Sequence, residues 1–114
     1  MVNKNFIVNK EDSILKVIEK IELSGHRTVF VVEKNKIIGC VSEGDIMRAL
    51  INEKKVESSI QNIMNKSFIF LEKENLKEAK NLFINTLSSV IPIVNKKMEI
   101  LDILTLESFL SKHV

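Results

Sequence analysis

The sequence predicts an α/β fold of two similar β-α-β-β-α repeats, and three observations support this prediction. Residues 7–14 match residues 69–76 in order, each with a short apolar run, a polar turn and a helix start. Each match is followed by an amphipathic helix and then by two β-prone runs joined by a short turn. An apolar strand that leads through a hydroxyl residue into a helix recurs at Ser42 and at Thr105. Because each repeat is too small for a stable core of its own, we expect the two sheets to pack face to face and pseudo-symmetrically.

In the first repeat, local patterns define each element. Apolar residues at helical spacing predict a helix from Ile14, with Asp12 or Ser13 as its N-cap. The β-prone runs within residues 28–41 flank a short polar turn and predict a hairpin. An apolar face over residues 45–52 predicts the closing helix.

The second repeat has the same order of elements. A short apolar run at residues 69–71 precedes a helix whose N-cap is Asn75. A hairpin over residues 90–104 and a helix over residues 106–112 complete the repeat. Pro92 lies in the first strand of this hairpin, and because proline donates no ladder hydrogen bond we expect this position at a strand edge or start.

A polar segment at residues 53–59 separates the repeats, and an apolar turn at residues 60–64 follows it as an anchor. We therefore expect one repeat over residues 1–58 and the other over residues 59–114. Together they form one compact unit.

Composition excludes several classes of function. Lysine and arginine number 17 against 15 aspartates and glutamates, and the formal net charge of +2 is spread along the chain, so nucleic acid is not expected as a partner. No apolar run is long enough to span a membrane, and no signal peptide begins the chain. A single cysteine and two histidines without neighbouring ligands indicate a reduced, cytoplasmic, metal-free protein. No nucleophile setting or phosphate-binding loop of a nucleotide hydrolase is present, so an enzyme is not expected.

The segment at residues 37–46 is the most informative motif. An apolar strand runs into Ser42, Gly44 and Asp45 at a helix start. Helix-start N–H groups favour phosphate, glycine permits close approach, and a carboxylate accepts hydrogen bonds from two adjacent ribose hydroxyls. Helix capping explains the spacing of Ser42 and Asp45 equally well, and the two roles are compatible.

The motifs together resemble a tandem pair of cystathionine-β-synthase (CBS) domains, also called a Bateman module. The resemblance rests on residues 31–33, 39–46, 60–64 and 91–94, and it covers nearly the whole chain. It implies a regulatory module, not a catalyst, that binds adenosine-containing nucleotides in clefts between the repeats and regulates an attached or partner enzyme or transporter.

The resemblance also implies the residues of a first cleft. Ser42 would contact phosphate or ribose, and Asp45 would hold the ribose hydroxyls. Serines stand where many members carry a basic residue for phosphate, so AMP or a nucleoside is expected rather than ATP. The remaining residues of this cleft would be Ile7, Val8, Asn9 and Cys40 around the base, and Ser88, Ser89 and Val90 from the second repeat.

The second cleft departs from the family pattern. Ser108 replaces the ribose-binding aspartate, and Asp102 replaces the usual glycine. Since His26 follows a helix end, where cations interact with terminal carbonyls, a structural role is equally open for it. The residues implied for this weaker cleft are Arg27, Thr28, Thr105 and Ser108, with His26 facing it.

Ligands and partners are expected from the same resemblance. No cofactor is required, and AMP, ADP, ATP or S-adenosylmethionine would be the bound ligand. A homodimer is expected through exposed helical faces around Met47, Leu50, Phe109 and Leu110. The motif around residues 42–50 resembles modules attached to sugar-phosphate nucleotidyltransferases and to sugar-phosphate isomerases, and residues 102–107 resemble the former group. A catalytic domain of a larger parent protein is therefore a further expected partner. The alternative is a structural dimerisation module with empty clefts.

Overall fold

The computed structural model describes residues 2–113 and confirms the α/β class. Two short 3₁₀ turns, at Lys4–Phe6 and Ile60–Asn62, precede the first strand and interrupt the linker. The strands are β1 (Ile7–Asn9), β2 (Thr28–Glu33), β3 (Lys36–Ser42), β4 (Val90–Val94) and β5 (Ile100–Thr105). The helices are α1 (Ile14–Ser24), α2 (Glu43–Ile51), α3 (Leu76–Asn85) and α4 (Leu106–His113).

Each repeat forms one small sheet. In the first, β1 pairs in parallel with β2, and β2 pairs antiparallel with β3; in the second, β4 and β5 form an antiparallel pair. Lys34 and Asn35 both have positive φ, at 52° and 68°, which is the geometry of the type I′ turn that suits a two-residue hairpin. Both predicted hairpins are therefore present.

Successive side chains of the central strands point to opposite faces, and each face packs against a different core. In β2, Val29 and Val31 face a core made with α1 and α2, while Phe30 faces the second repeat. In β4, Val90 and Val94 face Phe30. The expected packing of sheet against sheet is confirmed.

The other face of β4 covers a smaller core between the second sheet and its helices. Ile91 and Ile93 pack there with Ala79 of α3 and Phe109 of α4. Phe109 is 8% exposed and its ring lies 5.3 Å from that of Phe83. Its expected place on a dimer surface is therefore wrong, because the helix turns this side chain inward.

The predicted strand at residues 69–71 is reduced to a single bridge, in which Leu71 pairs with Ile93. The Leu71 N–H donates to the Pro92 carbonyl at 3.0 Å, and the Val94 N–H donates to the Leu71 carbonyl at 2.8 Å. The next bond of this parallel ladder toward residue 69 needs an N–H at position 92, which proline lacks. The ladder stops there. Pro92 is the middle residue of β4 and not its start, but the side of β4 that lacks its N–H is the edge of this sheet beyond the Leu71 bridge.

The linker is anchored on the first repeat. Ile60 is fully buried, and its N–H donates to the Asp12 carbonyl at 2.9 Å. The Ser58 carbonyl accepts from the Ile14 N–H at the start of α1, where Ser13 is the N-cap. Within residues 2–113, no helix has the length and apolar character needed to cross a bilayer.

Gly39 is required where the linker crosses β3. The backbone of the next residue, Cys40, exchanges two hydrogen bonds with Asn65, at 2.9 and 2.8 Å. A Cβ on Gly39 would lie 2.9 Å from the Asn65 carbonyl oxygen and 3.1 Å from the sulfur of Met64. Because backbone atoms cannot move aside easily, a side chain here would displace the linker.

We predict that Gly39→Ala lowers the free energy of unfolding by about 1–3 kcal/mol, because the added methyl group overpacks this crossing. Gly44→Ala is the control. Its Cβ would lie 3.3 Å from the flexible Arg48 guanidinium and in ordinary contact with Ser42 Oγ at 3.7 Å, and alanine favours helix. Urea unfolding followed by circular dichroism measures both; equal losses would contradict the explanation.

Candidate functional site

The serine and aspartate of the central motif form a complete capping box at the start of α2. Ser42 Oγ accepts from the Asp45 N–H at 3.1 Å, and Asp45 Oδ2 accepts from the Ser42 N–H at 2.9 Å. The Ser42 hydroxyl also donates to Asp45 Oδ2 at 3.0 Å. The capping role expected from the spacing is therefore present, and it fixes the carboxylate at the end of β3.

The second carboxylate oxygen of Asp45 faces a cation. Arg48 Nη2 donates to Asp45 Oδ1 at 2.7 Å from one helical turn away. The Arg48 side chain is 69% exposed, whereas the Asp45 side chain is 17% exposed. A pair with one end in solvent contributes little stability, so the arginine is easily displaced from the carboxylate.

These side chains form one wall of a cavity of about 250 Å³ between the repeats. The first repeat contributes residues of β2, β3 and α2. The other wall comes from residues 65–69, before α3, and from residues 86–90, between α3 and the start of β4. The cavity is lined by Thr28, Phe30, Cys40, Ser42, Asp45, Arg48, Asn65, Phe68, Ile69, Thr86, Ser88 and Val90.

Five of the residues implied for the first cleft come together here: Cys40, Ser42, Asp45, Ser88 and Val90. The Ser88 hydroxyl donates to the Val90 carbonyl at 2.6 Å, which shapes the backbone before β4. The cavity thus joins the two repeats, as the motif order implied.

Ile7, Val8 and Asn9 do not line this cavity. Ile7 lines a different cavity near the hairpin turns, and Val8 is 2% exposed in the core of the first repeat. Asn9 is exposed at the end of β1. Phe68 and Ile69, which match Phe6 and Ile7 in the repeat, line the cavity instead. Residues 68–69 of the second repeat thus line the cleft beside the first repeat's Ser42 and Asp45, although β1 itself stays paired with β2 of its own repeat.

Ser89 and Thr28 also lie elsewhere than implied. The Ser89 hydroxyl is 2.8 Å from His26 Nδ1, on the side of the second cleft. Thr28 lines the first cleft, where it pairs in register with Ser42. Ser89 is thus at the second cleft and Thr28 at the first, the reverse of what the resemblance implied.

At the second cleft, Thr105 caps the start of α4 as Ser42 caps α2, but Ser108 supplies no carboxylate in the place of Asp45. Thr105 Oγ1 accepts from the Ser108 N–H at 3.2 Å. Arg27 is exposed, and its carbonyl accepts from the Glu43 N–H at 2.8 Å. His26 Nε2 contacts Glu107 Oε1 at 2.6 Å. Partial burial raises the pKa of the Glu107 carboxyl, but hydrogen bonds, mainly from His26, outweigh it and hold the pKa below its usual range.

Sequence reasoning missed Arg48 and the residues supplied by the linker. The i,i+3 spacing from Asp45 to Arg48 was a usable signal for the ion pair. The repeat match of Phe6 with Phe68 was a signal for the apolar wall. Using it requires knowing that Phe68 of the second repeat, and not Phe6 of the first, lines the first cleft. Within the described residues 2–113, no three His, Cys, Asp or Glu side chains come together as metal ligands.

A model of the CBS domain family matches residues 1–52 and again residues 60–113. The two matches cover most of the chain and coincide with the two structural repeats. The chain belongs to the CBS domain family. It is a tandem pair whose inter-repeat cavity lies beside the serine–aspartate motif of its first CBS repeat.

Solved CBS structures share this fold. A CBS domain pair/ACT domain protein from Thermotoga maritima has a TM-score of 0.79 and 19% identity, over 97% of this chain and 90% of that chain. A second CBS domain-containing protein from Thermotoga maritima has a TM-score of 0.76 and 23% identity, over 98% and 86%. A CBS domain protein from Pyrobaculum aerophilum, complexed with AMP, has a TM-score of 0.73 and 17% identity, over 90% and 80%.

Among curated proteins, an uncharacterized protein of Methanocaldococcus jannaschii is 28% identical over 108 residues. The match covers 92% of this chain but 39% of that protein. The CBS pair thus corresponds to less than half of this relative.

The Cys40 thiol gives a direct test of the cleft. Burial, and secondarily the Asp45 carboxylate, raise the pKa of this thiol to about 11. We predict that at pH 7.5 iodoacetamide alkylates native Cys40 roughly 100-fold more slowly than the urea-unfolded chain, because the thiolate is the reactive form. Mass spectrometry of quenched samples gives both rates. Native and unfolded rates within a factor of three of each other would contradict the described environment.

Proposed function

We propose that this CBS pair is a regulatory module that binds an adenosine-containing nucleotide, AMP rather than ATP, between its repeats and modulates an attached or partner enzyme. Proteins with CBS domain pairs are regulatory modules, and one structural relative is complexed with AMP. One observation carries the proposal: the Asp45 carboxylate lies in the wall of an inter-repeat cavity, fixed by a helix cap and paired with a solvent-exposed arginine.

Asp45 suits ribose recognition. A ribose presents two adjacent hydroxyl donors, and a fixed carboxylate accepts both. Its Oδ2 is held by Ser42, and its Oδ1 is bonded to Arg48, whose exposed side chain is displaced at little cost. The released guanidinium is then available for a phosphate oxygen, to which arginine bonds in a bidentate manner.

The opposite lining suits a flat base. Phe30 and Phe68 provide aromatic surface, and Ile69 and Val90 provide aliphatic surface. An adenine ring packs well between such side chains, since aromatic groups stack on its face. These residues support the base position in place of Ile7, Val8 and Asn9.

The size and charge of the cleft favour a single phosphate. The cavity of about 250 Å³ lies below the roughly 300–1,000 Å³ of typical small-molecule sites. An adjoining polar cavity of about 350 Å³ shares Asp45 and Arg48 and adds Lys54. Arg48 and Lys54 supply two positive charges against the one negative charge of Asp45, which suits one phosphate group better than two or three. ADP and ATP are therefore expected to bind more weakly than AMP, and so is S-adenosylmethionine, which has no phosphate to meet these cations.

The regulated partner is part of the proposal. The curated relative is much longer than the matched segment, which supports a module joined to further domains. A sugar-phosphate nucleotidyltransferase domain is our candidate partner, because residues 42–50 resemble the motif in modules attached to such enzymes. We also propose a cytoplasmic location for the protein, because its lone cysteine is typical of a reducing compartment. Ligand binding would act on this enzyme by favouring one arrangement of the repeats.

A structural dimerisation module is the second candidate. The Asp45–Arg48 ion pair already satisfies the carboxylate, and apolar side chains on α2 are exposed to solvent. In this alternative the clefts stay empty and the helices position a partner domain.

Calorimetric titration separates the two candidates. We predict that AMP binds with micromolar affinity and that Asp45→Ala weakens this binding by about 1.5–3 kcal/mol, because charge-assisted hydrogen bonds to ribose are lost. Adenosine, ADP, ATP and S-adenosylmethionine are titrated in the same way, and their affinities are compared with that of AMP.

Ser13→Ala is the matched control, because it also removes a helix cap but lies on α1 outside the cleft. Its affinity for AMP should equal that of the unchanged chain. The absence of binding by every ligand at millimolar concentration would favour the structural module, and equal affinities of the Asp45 variant and the unchanged chain would exclude the ribose contact.

We also propose a homodimer through the outer face of α2. Met47 is 55% exposed and Leu50 36% exposed, and both line a largely apolar groove between α2 and α1. Leu110 of α4, 46% exposed, is a further contact residue. Exposed apolar surface of this kind favours association.

We predict a dimer at micromolar concentration in sedimentation equilibrium, and Met47→Glu should raise its dissociation constant at least tenfold by placing a charge in the interface. Leu101→Glu, on an equally exposed residue of β5, should leave association unchanged. A monomeric unchanged chain, with and without AMP, would rule out this interface.

A further inference from the structure

The second cleft differs from the first at two facing positions. His26 stands two residues before β2, where the second repeat has Ser88 two residues before β4. Glu107 stands in the second residue of α4, where α2 has Gly44. A serine and a glycine leave the first cleft open, whereas the second cleft carries an imidazole and a carboxylate.

These two larger side chains meet across the second cleft. His26 Nε2 lies 2.6 Å from Glu107 Oε1, and His26 Nδ1 lies 2.8 Å from Ser89 Oγ. Because the carboxylate only accepts, Nε2–H donates to it, and Nδ1 shares a hydrogen bond with the serine hydroxyl, which can act as donor or acceptor. Both ring nitrogens are thus satisfied within the protein.

The imidazole ring also contacts an aromatic ring, whose plane is tilted by 45° to its own. Its centroid lies 5.5 Å from that of Phe6, the counterpart of the Phe68 that lines the first cleft. The His26 side chain is only 11% exposed. An aromatic ring held beside Phe6 and hydrogen-bonded at both edges occupies the position that corresponds to the one proposed for a nucleotide base beside Phe68 in the first cleft.

We infer that His26 is the residue that restricts this CBS pair to one nucleotide per chain, because its ring fills the second cleft and Glu107 and Ser89 hold it there. The inference deepens the proposed function, on which it rests for the identity of the ligand. Ser108 in place of aspartate makes the second cleft poor at binding ribose, and His26 closes it.

Restoring the first-cleft residues tests this. The variant His26→Ser/Glu107→Gly/Ser108→Asp gives the second cleft the serine, glycine and aspartate of the first. Titration with adenosine and AMP should give one site in the unchanged chain and two in this triple variant. Ser108→Asp alone is the control, and it should keep one site because the imidazole remains in place.

Three results would overturn the inference: two sites in the unchanged chain, two sites in Ser108→Asp alone, or no added site in a triple variant that folds. If the unchanged chain binds no nucleotide, the proposed function fails, but the number of sites that the triple variant gains still decides the role of His26.

A second measurement covers a triple variant that does not fold. His26→Ala leaves a ring-sized space beside Phe6. Free imidazole should raise the melting temperature of this variant and leave that of the unchanged chain constant, because a ligand that binds only the folded state stabilises it. Equal responses of the two proteins would show that the ring does not fill the cleft.

Discussion

The packing of one sheet against the other is the interaction on which the rest of the structure depends. Phe30 from the first repeat and Val90 and Val94 from the second are buried together at its centre. Burying each such side chain contributes about 1.5–3 kcal/mol, and neither small sheet covers this face alone. The interface therefore holds the repeats together and brings the walls of both clefts within reach of each other.

The same packing explains why neither cleft belongs to one repeat. The linker returns over β3, where Gly39 allows close contact, and delivers residues 68–69 to the wall opposite Asp45. At the other cleft, His26 reaches across to the second repeat. A symmetric scaffold thus carries two unequal clefts, and the difference resides in a few side chains at equivalent positions. Any change in the angle between the repeats would alter the two clefts together.

The order of helices and strands was predictable because hydrophobic periodicity and turn residues are local signals. The pairing of Ser42 with Asp45 was also predictable, since capping depends on spacing along one segment. The replacement of residues 7–9 by residues 68–69 in the first cleft is a tertiary effect, which no local pattern encodes. The strand at residues 69–71 fails for a specific reason: the missing N–H of Pro92 ends its ladder, and the same strand signal succeeds in the first repeat.

We propose above all that an adenosine nucleotide binds where both repeats meet beside Asp45. Amide chemical shifts of the ¹⁵N-labelled chain during addition of AMP test it most directly. We expect the largest shifts at Cys40, Ser42 and Val90, and small shifts at Ser89 and Glu107. Largest shifts at those last two residues, or no shift at millimolar AMP, would contradict it.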